Sequence, residues 1–218
     1  MAGSGTPQVE NTSNILQHQT LNLIFQEEYI PRFFQLLQRG FMVKARRGCS
    51  LKSLLCQQPG ISSEYLEERI QTIFIDGKAV DNIERAIPAD GATIAISAAM
   101  PGLVGATLRR GGFYAALRSQ ITYTAGEECA SEGEAMFKLK LFNLLIDELG
   151  RGFLEKGIWI DGKVLQDFFK GQAESFWEGC EEIELDGSKV KPQKLLETHW
   201  CGEEKQVLFK VASTRSGI

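Results

Sequence analysis

Residues 73–80 read Ile73-Phe74-Ile75-Asp76-Gly77-Lys78-Ala79-Val80, two short apolar runs on either side of an Asp-Gly pair. Asp-Gly favours a type I′ turn, because Gly takes positive φ without steric cost and Asp tolerates the left-handed region. The twist of that turn matches the twist of the strands it joins, so the octet predicts a β-hairpin. The same arrangement recurs as Ile158-Trp159-Ile160-Asp161-Gly162-Lys163-Val164-Leu165, and more loosely as Ile183-Glu184-Leu185-Asp186-Gly187-Ser188-Lys189-Val190. Three hairpins that converged on one good turn would explain this, and so would a duplicated module. Both full copies follow a segment that permits a helix and precede further apolar sequence, yet nothing after Leu165 echoes the glycine-rich stretch 101–112.

Working outward, Phe41-Met42-Val43-Lys44-Ala45 reads as a strand ending at Arg46-Arg47-Gly48. Ser50 is placed to cap a short helix with Leu51, Leu54 and Leu55 on one face, before Pro59-Gly60 breaks it. Ser62 or Ser63 is placed to cap another. After the hairpin, Pro88-Ala89-Asp90-Gly91 is a turn that leads into the strand Thr93–Ile96. The glycine stretch follows, and Phe113–Leu117 and Ile121–Tyr123 resume strand character. Upstream, apolar clusters and Pro31 predict one or two helices over 15–39, stopped by Gly40.

Gly126–Glu134 is small, acidic and polar and marks a boundary. Beyond it, 136–149 permits either a helix or, from the alternation of Phe137, Leu139 and Leu141, a strand start. Gln206–Ala212 predicts a last strand. The expected organisation is a disordered tail (1–13), a helical extension (14–40), a central module (41–125) and an acidic α+β module (134–218). Helices and hairpins interleave without a regular βα rhythm, so the class is α+β with mostly antiparallel or mixed sheets.

The order over 41–112 is strand, short helix, strand–Asp-Gly–strand, Asp-Gly turn, strand, and a Pro-Gly loop ending in Gly111-Gly112. It resembles the β-grasp fold of the small sulfur-carrier, ubiquitin-like proteins over about a third of the chain. The matching pieces are Ile75–Val80, Asp90–Ile96 and Gly111-Gly112. Those carriers act through a free terminal Gly-Gly carboxylate, whereas Gly112 here is followed by Phe113. The resemblance therefore implies the fold of a carrier and not its thiocarboxylate chemistry.

The chain has 218 residues, 43% hydrophobic and 24% charged, within the range of a globular protein. Its longest uncharged stretch, Gly91–Leu108, is interrupted by Pro101-Gly102 and falls short of the ~20 apolar residues of a membrane span. Residues 1–14 are polar and small, unlike a secretory signal. Five cysteines without CxxC spacing fit reduced thiols in a cytoplasmic protein better than a disulfide framework. The two histidines, His18 and His199, argue against a His-rich metal site. Residues 41–125 carry ten Lys/Arg against seven Asp/Glu (+3), and 126–218 carry twelve against eighteen (−6). Neither reaches the basic charge of a nucleic-acid binder, so no nucleic-acid or membrane partner is expected.

The stretch 101–112 supplies the candidate binding residues Gly102, Gly105, Arg109, Arg110, Gly111 and Gly112. Glycines let backbone N–H groups approach an anion, and two arginines can clamp it. The stretch matches neither of the glycine-rich phosphate-binding motifs, so a structural or partner-binding loop is the competing reading. His199-Trp200-Cys201 places an imidazole and a thiol on one face of an extended chain, without an oxyanion donor or a fourth metal ligand. No catalytic residue, metal ligand or cofactor is assigned. The sequence reads as a non-enzymatic interaction or binding module whose partner is another protein or a second copy. The alternative is a protein or enzyme that holds an anionic small molecule at 101–112. Thiol titration of the freshly purified, denatured protein should find all five cysteines reactive without reductant, and thiols that appear only on reduction would overturn the compartment argument.

Overall fold

The computed structural model describes residues 18–123, 133–198, 200 and 206–214. The chain opens with strand β1 (Gln19–Phe25), a 3₁₀ stretch (Glu27–Phe33), helix α1 (Phe34–Arg39) and β2 (Phe41–Arg46). Helices α2 (Leu51–Cys56) and α3 (Ser63–Glu68) lead into the hairpin of β3 (Thr72–Ile75) and β4 (Lys78–Ala79), and then β5 (Thr93–Ser97). Helix α4 (Gly102–Leu108) and a second 3₁₀ stretch (Phe113–Ile121) follow. The chain continues through β6 (Glu134–Phe142), α5 (Leu144–Lys156), β7 (Ile158–Asp161), α6 (Gly162–Lys170) and a third 3₁₀ stretch (Glu174–Gly179). It closes with β8 (Cys180–Leu185), β9 (Ser188–Lys189), α7 (Pro192–Glu197) and β10 (Gln206–Ser213).

The ten strands of the described residues form one mixed sheet in the order β4-β3-β5-β6-β2-β7-β10-β1-β8-β9, so the protein is α+β. Burial alternates along the strands: Leu21, Leu23 and Phe25 in β1, Phe41, Val43 and Ala45 in β2, and Phe137, Leu139 and Leu141 in β6 are buried, while their neighbours are not. One sheet face therefore packs on the helices, in a single hydrophobic cluster that draws on β1, β2, β6 and β10 alike. The other face is open, as antiparallel sheets permit.

The sheet has two halves of one pattern. In β4-β3-β5-β6-β2 only the β5–β6 pair is parallel, and in β9-β8-β1-β10-β7 only the β1–β10 pair is. The halves meet antiparallel, at Met42 against Trp159. The agreement reaches single atoms. Asp76 has φ 48° and Gly77 φ 78°; Asp186 has φ 51° and Gly187 φ 78°. The Asp76 carboxylate accepts from Thr93 N at 2.8 Å and that of Asp186 from Thr20 N at 2.8 Å. Val80 N donates to Ile73 O at 2.9 Å, as Val190 N does to Ile183 O at 2.9 Å. The slots are filled differently, however. Beside the hairpin lies β5, the next strand in the chain, in one half, and β1, the first of the described strands, in the other.

The predicted hairpin at Asp76-Gly77 is present, and so is the looser one at Asp186-Gly187. The hairpin expected at Asp161-Gly162 is not. Asp161 caps α6 instead, accepting from Lys163 N at 2.8 Å and Val164 N at 3.3 Å. Leu165, Phe168 and Phe169 then fall on the buried face at helical spacing. Gly162 lies so close to Trp200 that an added Cβ would stand 2.3 Å from the Trp200 carbonyl oxygen. The helical extension expected over 14–40 needs correction too. Gln19–Phe25 is a strand, because alternate burial of Leu21, Leu23 and Phe25 between two partner strands outweighs their helical clustering. Residues 136–142 belong to a strand and only 144–156 to a helix. Ser50 and Ser62 cap α2 and α3 as expected. The tail 1–13 and most of the 126–134 boundary lie outside the described residues.

Asp76→Ala and Asp186→Ala should each cost about 1–2 kcal/mol, since each removes one cross-strand hydrogen bond and a residue that tolerates αL. Asp161→Ala should cost about 1 kcal/mol as a lost helix cap. Chemical denaturation of the three variants checks this, and unequal losses at 76 and 186 would argue against equivalent turns.

Candidate docking surface

Between β5 and β6 the chain leaves the sheet and builds an insert that has no counterpart among the described residues of the other half. The stretch read as a loop over 101–112 is a helix from Gly102 to Leu108, and the strands expected at 113–117 and 121–123 are replaced by a 3₁₀ segment ending at Ile121. The reason is that this segment meets the sheet by backbone at its end, where Thr122 is bridged to Ala79 and Tyr123 N donates to Ala79 O, and among the described residues no strand pairs with the rest of it. Gly105 is required for the helix to pack at all, because a Cβ there would lie 2.0 Å from the Met100 carbonyl oxygen.

The insert is held to the hairpin by polar contacts. Arg110 N donates to Gln71 O at 2.8 Å, and its guanidinium donates to Glu67 at 2.9 Å and Leu66 O at 3.2 Å. Gly111 N donates to the Asp81 carboxylate at 3.1 Å. Arg118, only 5% exposed, donates to the same Asp81 oxygen at 2.6 Å, to Thr107 O at 2.6 Å and to Thr122 Oγ1 at 3.1 Å. Tyr123 closes the insert through Ala79 O and Ile87 O, both at 2.8 Å. Asp81 is the hub, since it fixes a backbone amide and a buried guanidinium at once.

What faces solvent is apolar. Phe113 is 92% exposed, Leu117 75%, Leu103 72% and Val104 68%, with Tyr114, Phe142 and Leu144 also exposed. The polarity is the reverse of an ordinary surface element, which buries its leucines and exposes its arginine. Monomeric proteins rarely turn so many large apolar side chains of one short element to solvent. Next to it lies a cavity of about 240 Å³ lined by Phe74, Ala95, Ile96, Ser97, Met100, Phe142 and Asn143.

Of the residues singled out in the sequence, Gly102 and Gly105 lie in α4, Arg109 ends it with its side chain exposed, and Arg110, Gly111 and Gly112 form the joint to the hairpin. Arg110 and Gly111 are occupied by Glu67 and Asp81, so the two arginines do not converge as a clamp. Sequence reading missed Arg118 and Asp81, which lie 37 residues apart. It also missed the exposed apolar face, which an assumed strand had hidden. His199 and Cys201 lie outside the described residues. Trp200 is buried, donating from Nε1 to Leu195 O at 3.0 Å.

A second, more open cavity of about 420 Å³ is lined by Ser50, Lys52, Ser53, Cys56, Ile61, Ser62, Ser63 and Glu84. Desolvation pushes the Cys56 thiol up despite nearby Lys52, and hydrogen bonding to Glu84 holds the Lys52 ammonium charged. Both effects work against a thiolate or amine nucleophile. Burial also pushes the Cys180 thiol up to about 11. Among the described residues no group of three or more His, Cys, Asp and Glu could hold a metal ion, and no helix is long and apolar enough to cross a membrane.

Asp81→Ala should cost about 3 kcal/mol, because it strands a buried guanidinium, while Arg109→Ala should stay within about 0.5 kcal/mol. Urea denaturation of both variants checks the contrast, and equal losses would remove Asp81 from its place as anchor. Compared with protein-family models, with curated proteins and with solved structures, the chain finds no match.

Proposed function

We propose that this chain is a non-enzymatic interaction module, and that it self-associates by docking the insert of one copy on that of another. The observation that carries this is the outward apolar face of Leu103, Val104, Phe113 and Leu117 on an element anchored through a buried arginine. Burying a side chain of this size stabilises an interface by about 1.5–3 kcal/mol, so four of them supply about 6–12 kcal/mol against an association cost of about 4–15 kcal/mol. With Tyr114, Phe142 and Leu144, the face offers on the order of 800 Å², about what each partner contributes to a standard interface.

A second copy suits this face because the patch holds both a knob and a hole. Phe113 projects from it, and the cavity of about 240 Å³ beside Met100 and Phe142 is apolar and of the order of one aromatic side chain. A two-fold contact pairs each with its complement twice. A β-grasp module in the first half fits the same reading. What supports it is the chain order β2, α2, α3, β3, β4, β5, in which the hairpin turns at Asp76-Gly77.

Sedimentation equilibrium should show a concentration-dependent dimer, and Phe113→Ser with Leu117→Ser should weaken it at least tenfold with unchanged circular dichroism. A wild-type protein that stays monomeric up to about 100 μM would retire self-docking at this face.

A further inference from the structure

The open face of the sheet carries a feature that segment-by-segment charge counting averages away. On strands β6, β2 and β10, Lys138, Lys140, Lys44, Arg46 and Lys210 alternate with buried residues and so point away from the helices. Among the described residues none of these five is in an ion pair, although the chain carries 28 acidic residues. They surround an apolar centre. Met42 pairs with Lys138 on one side and Trp159 on the other, Trp159 pairs with Leu208, and the Lys44 ammonium lies 5.1 Å from the Trp159 ring centroid. His18 meets the same ring edge-on at 4.6 Å.

The lysines are seated. A Cβ at Gly40 would stand 2.6 Å from Lys138 Cε and 3.1 Å from Lys140 Cγ, and one at Gly157 would stand 2.9 Å from Lys210 Cε. Both glycines therefore leave troughs in which lysine stems lie along the sheet, one on each side of the Met42–Trp159 junction. The acidic residues of this face lie at its margins: Glu134 opposite Arg46, Asp161 opposite Gln206, Glu182 bonded to Lys189, and Glu184 accepting from Asn22.

We infer that this face binds single-stranded nucleic acid, with the five cations taking phosphates and Met42, Trp159 and Leu208 forming the floor on which bases rest. An open sheet with an aromatic centre and flanking cations is the arrangement that meets both parts of a single strand: its charged backbone and its unstacked bases. A double helix presents its bases only at groove edges and cannot use an apolar floor in the middle of a flat sheet. An acidic protein would use the cations but not the indole.

Fluorescence anisotropy of a labelled oligo-dT of about 16 nucleotides tests this. Saturable binding is expected at about 50 mM salt and should weaken at least tenfold by about 200 mM. Lys138→Gln with Lys140→Gln should lose at least tenfold in affinity and flatten the slope of log K against log salt by about 1.4, roughly 0.7 per lost phosphate contact. Lys163→Gln with Lys170→Gln removes the same charge from α6 and should change neither. Trp159→Ala should weaken the oligonucleotide tenfold or more and leave poly-glutamate binding unaltered. Should the Lys138/Lys140 variant not fold, as circular dichroism would show, Lys210→Gln gives the same reading with about half the change in slope. Absence of saturable binding, or indifference to both lysine variants, overturns the inference. Poly-glutamate binding as tight as the oligonucleotide, with Trp159→Ala affecting neither, would assign the face to an acidic protein and equally overturn it.

Discussion

The first half of the sheet is built from one contiguous run of strands, β2 to β6, whereas the second is completed only by β1, which precedes that run in the chain. Strand β6, the next strand after β5, enters between β5 and β2, and β1 enters between β8 and β10, so it is the second half that is closed by a strand from the far side of the sequence. Without β6, β5 and β2 would face each other across a missing strand; without β1, β8 and β9 would be detached from β10. Among the described residues the halves pair by backbone at Met42 and Trp159. Their cohesion rests on the helix-side cluster, while within the second half the parallel β1–β10 pair spans nearly the length of the chain. Such pairings are non-local and must repay loop-closure entropy before they stabilise anything, so folding of this chain is expected to be slow for its size.

The same closure explains why the insert exists where it does. A parallel β5–β6 pair cannot be joined by a tight turn and needs a crossover. Residues 98–133 supply it, and of these Met100–Tyr123 form a crossover that leans on the hairpin instead of covering the sheet. Its contacts with the hairpin are ionic and hydrogen-bonded, through Asp81, Glu67, Arg110 and Arg118. Its leucines and phenylalanine have no core to enter. The polarity of the insert is therefore a consequence of where the crossover was anchored, and its apolar side chains are left toward solvent.

Much of the local structure was legible because turn and cap chemistry act over three or four residues. Asp76-Gly77 and Asp186-Gly187 turn as read, and Ser50 and Ser62 cap as read. Asp161-Gly162 shows the limit of that reading: the same dipeptide opens a helix, because Leu165, Phe168 and Phe169 have a core to fill and Gly162 has Trp200 against it. Residues 19–25 show it again. Their apolar clusters suit either a helix or a strand, and only the presence of β8 and β10 on either side decides for the strand. Of the candidate site, Gly105 and Arg110 were visible as residues, but their roles as packing glycine and anchor were not.

By itself the sequence determined the α+β class, two of its hairpins and the caps of its first helices, since these depend on backbone preferences carried by a few adjacent residues. Tertiary structure alone decided three things: that β1 and β6 complete opposite halves, that Asp81 meets Arg118, and that five cations from three strands surround Trp159. The reason is common to all three. Each depends on residues brought together by strand pairing over tens to nearly two hundred positions, and the free energy of such pairing belongs to the completed sheet and not to any segment of the chain.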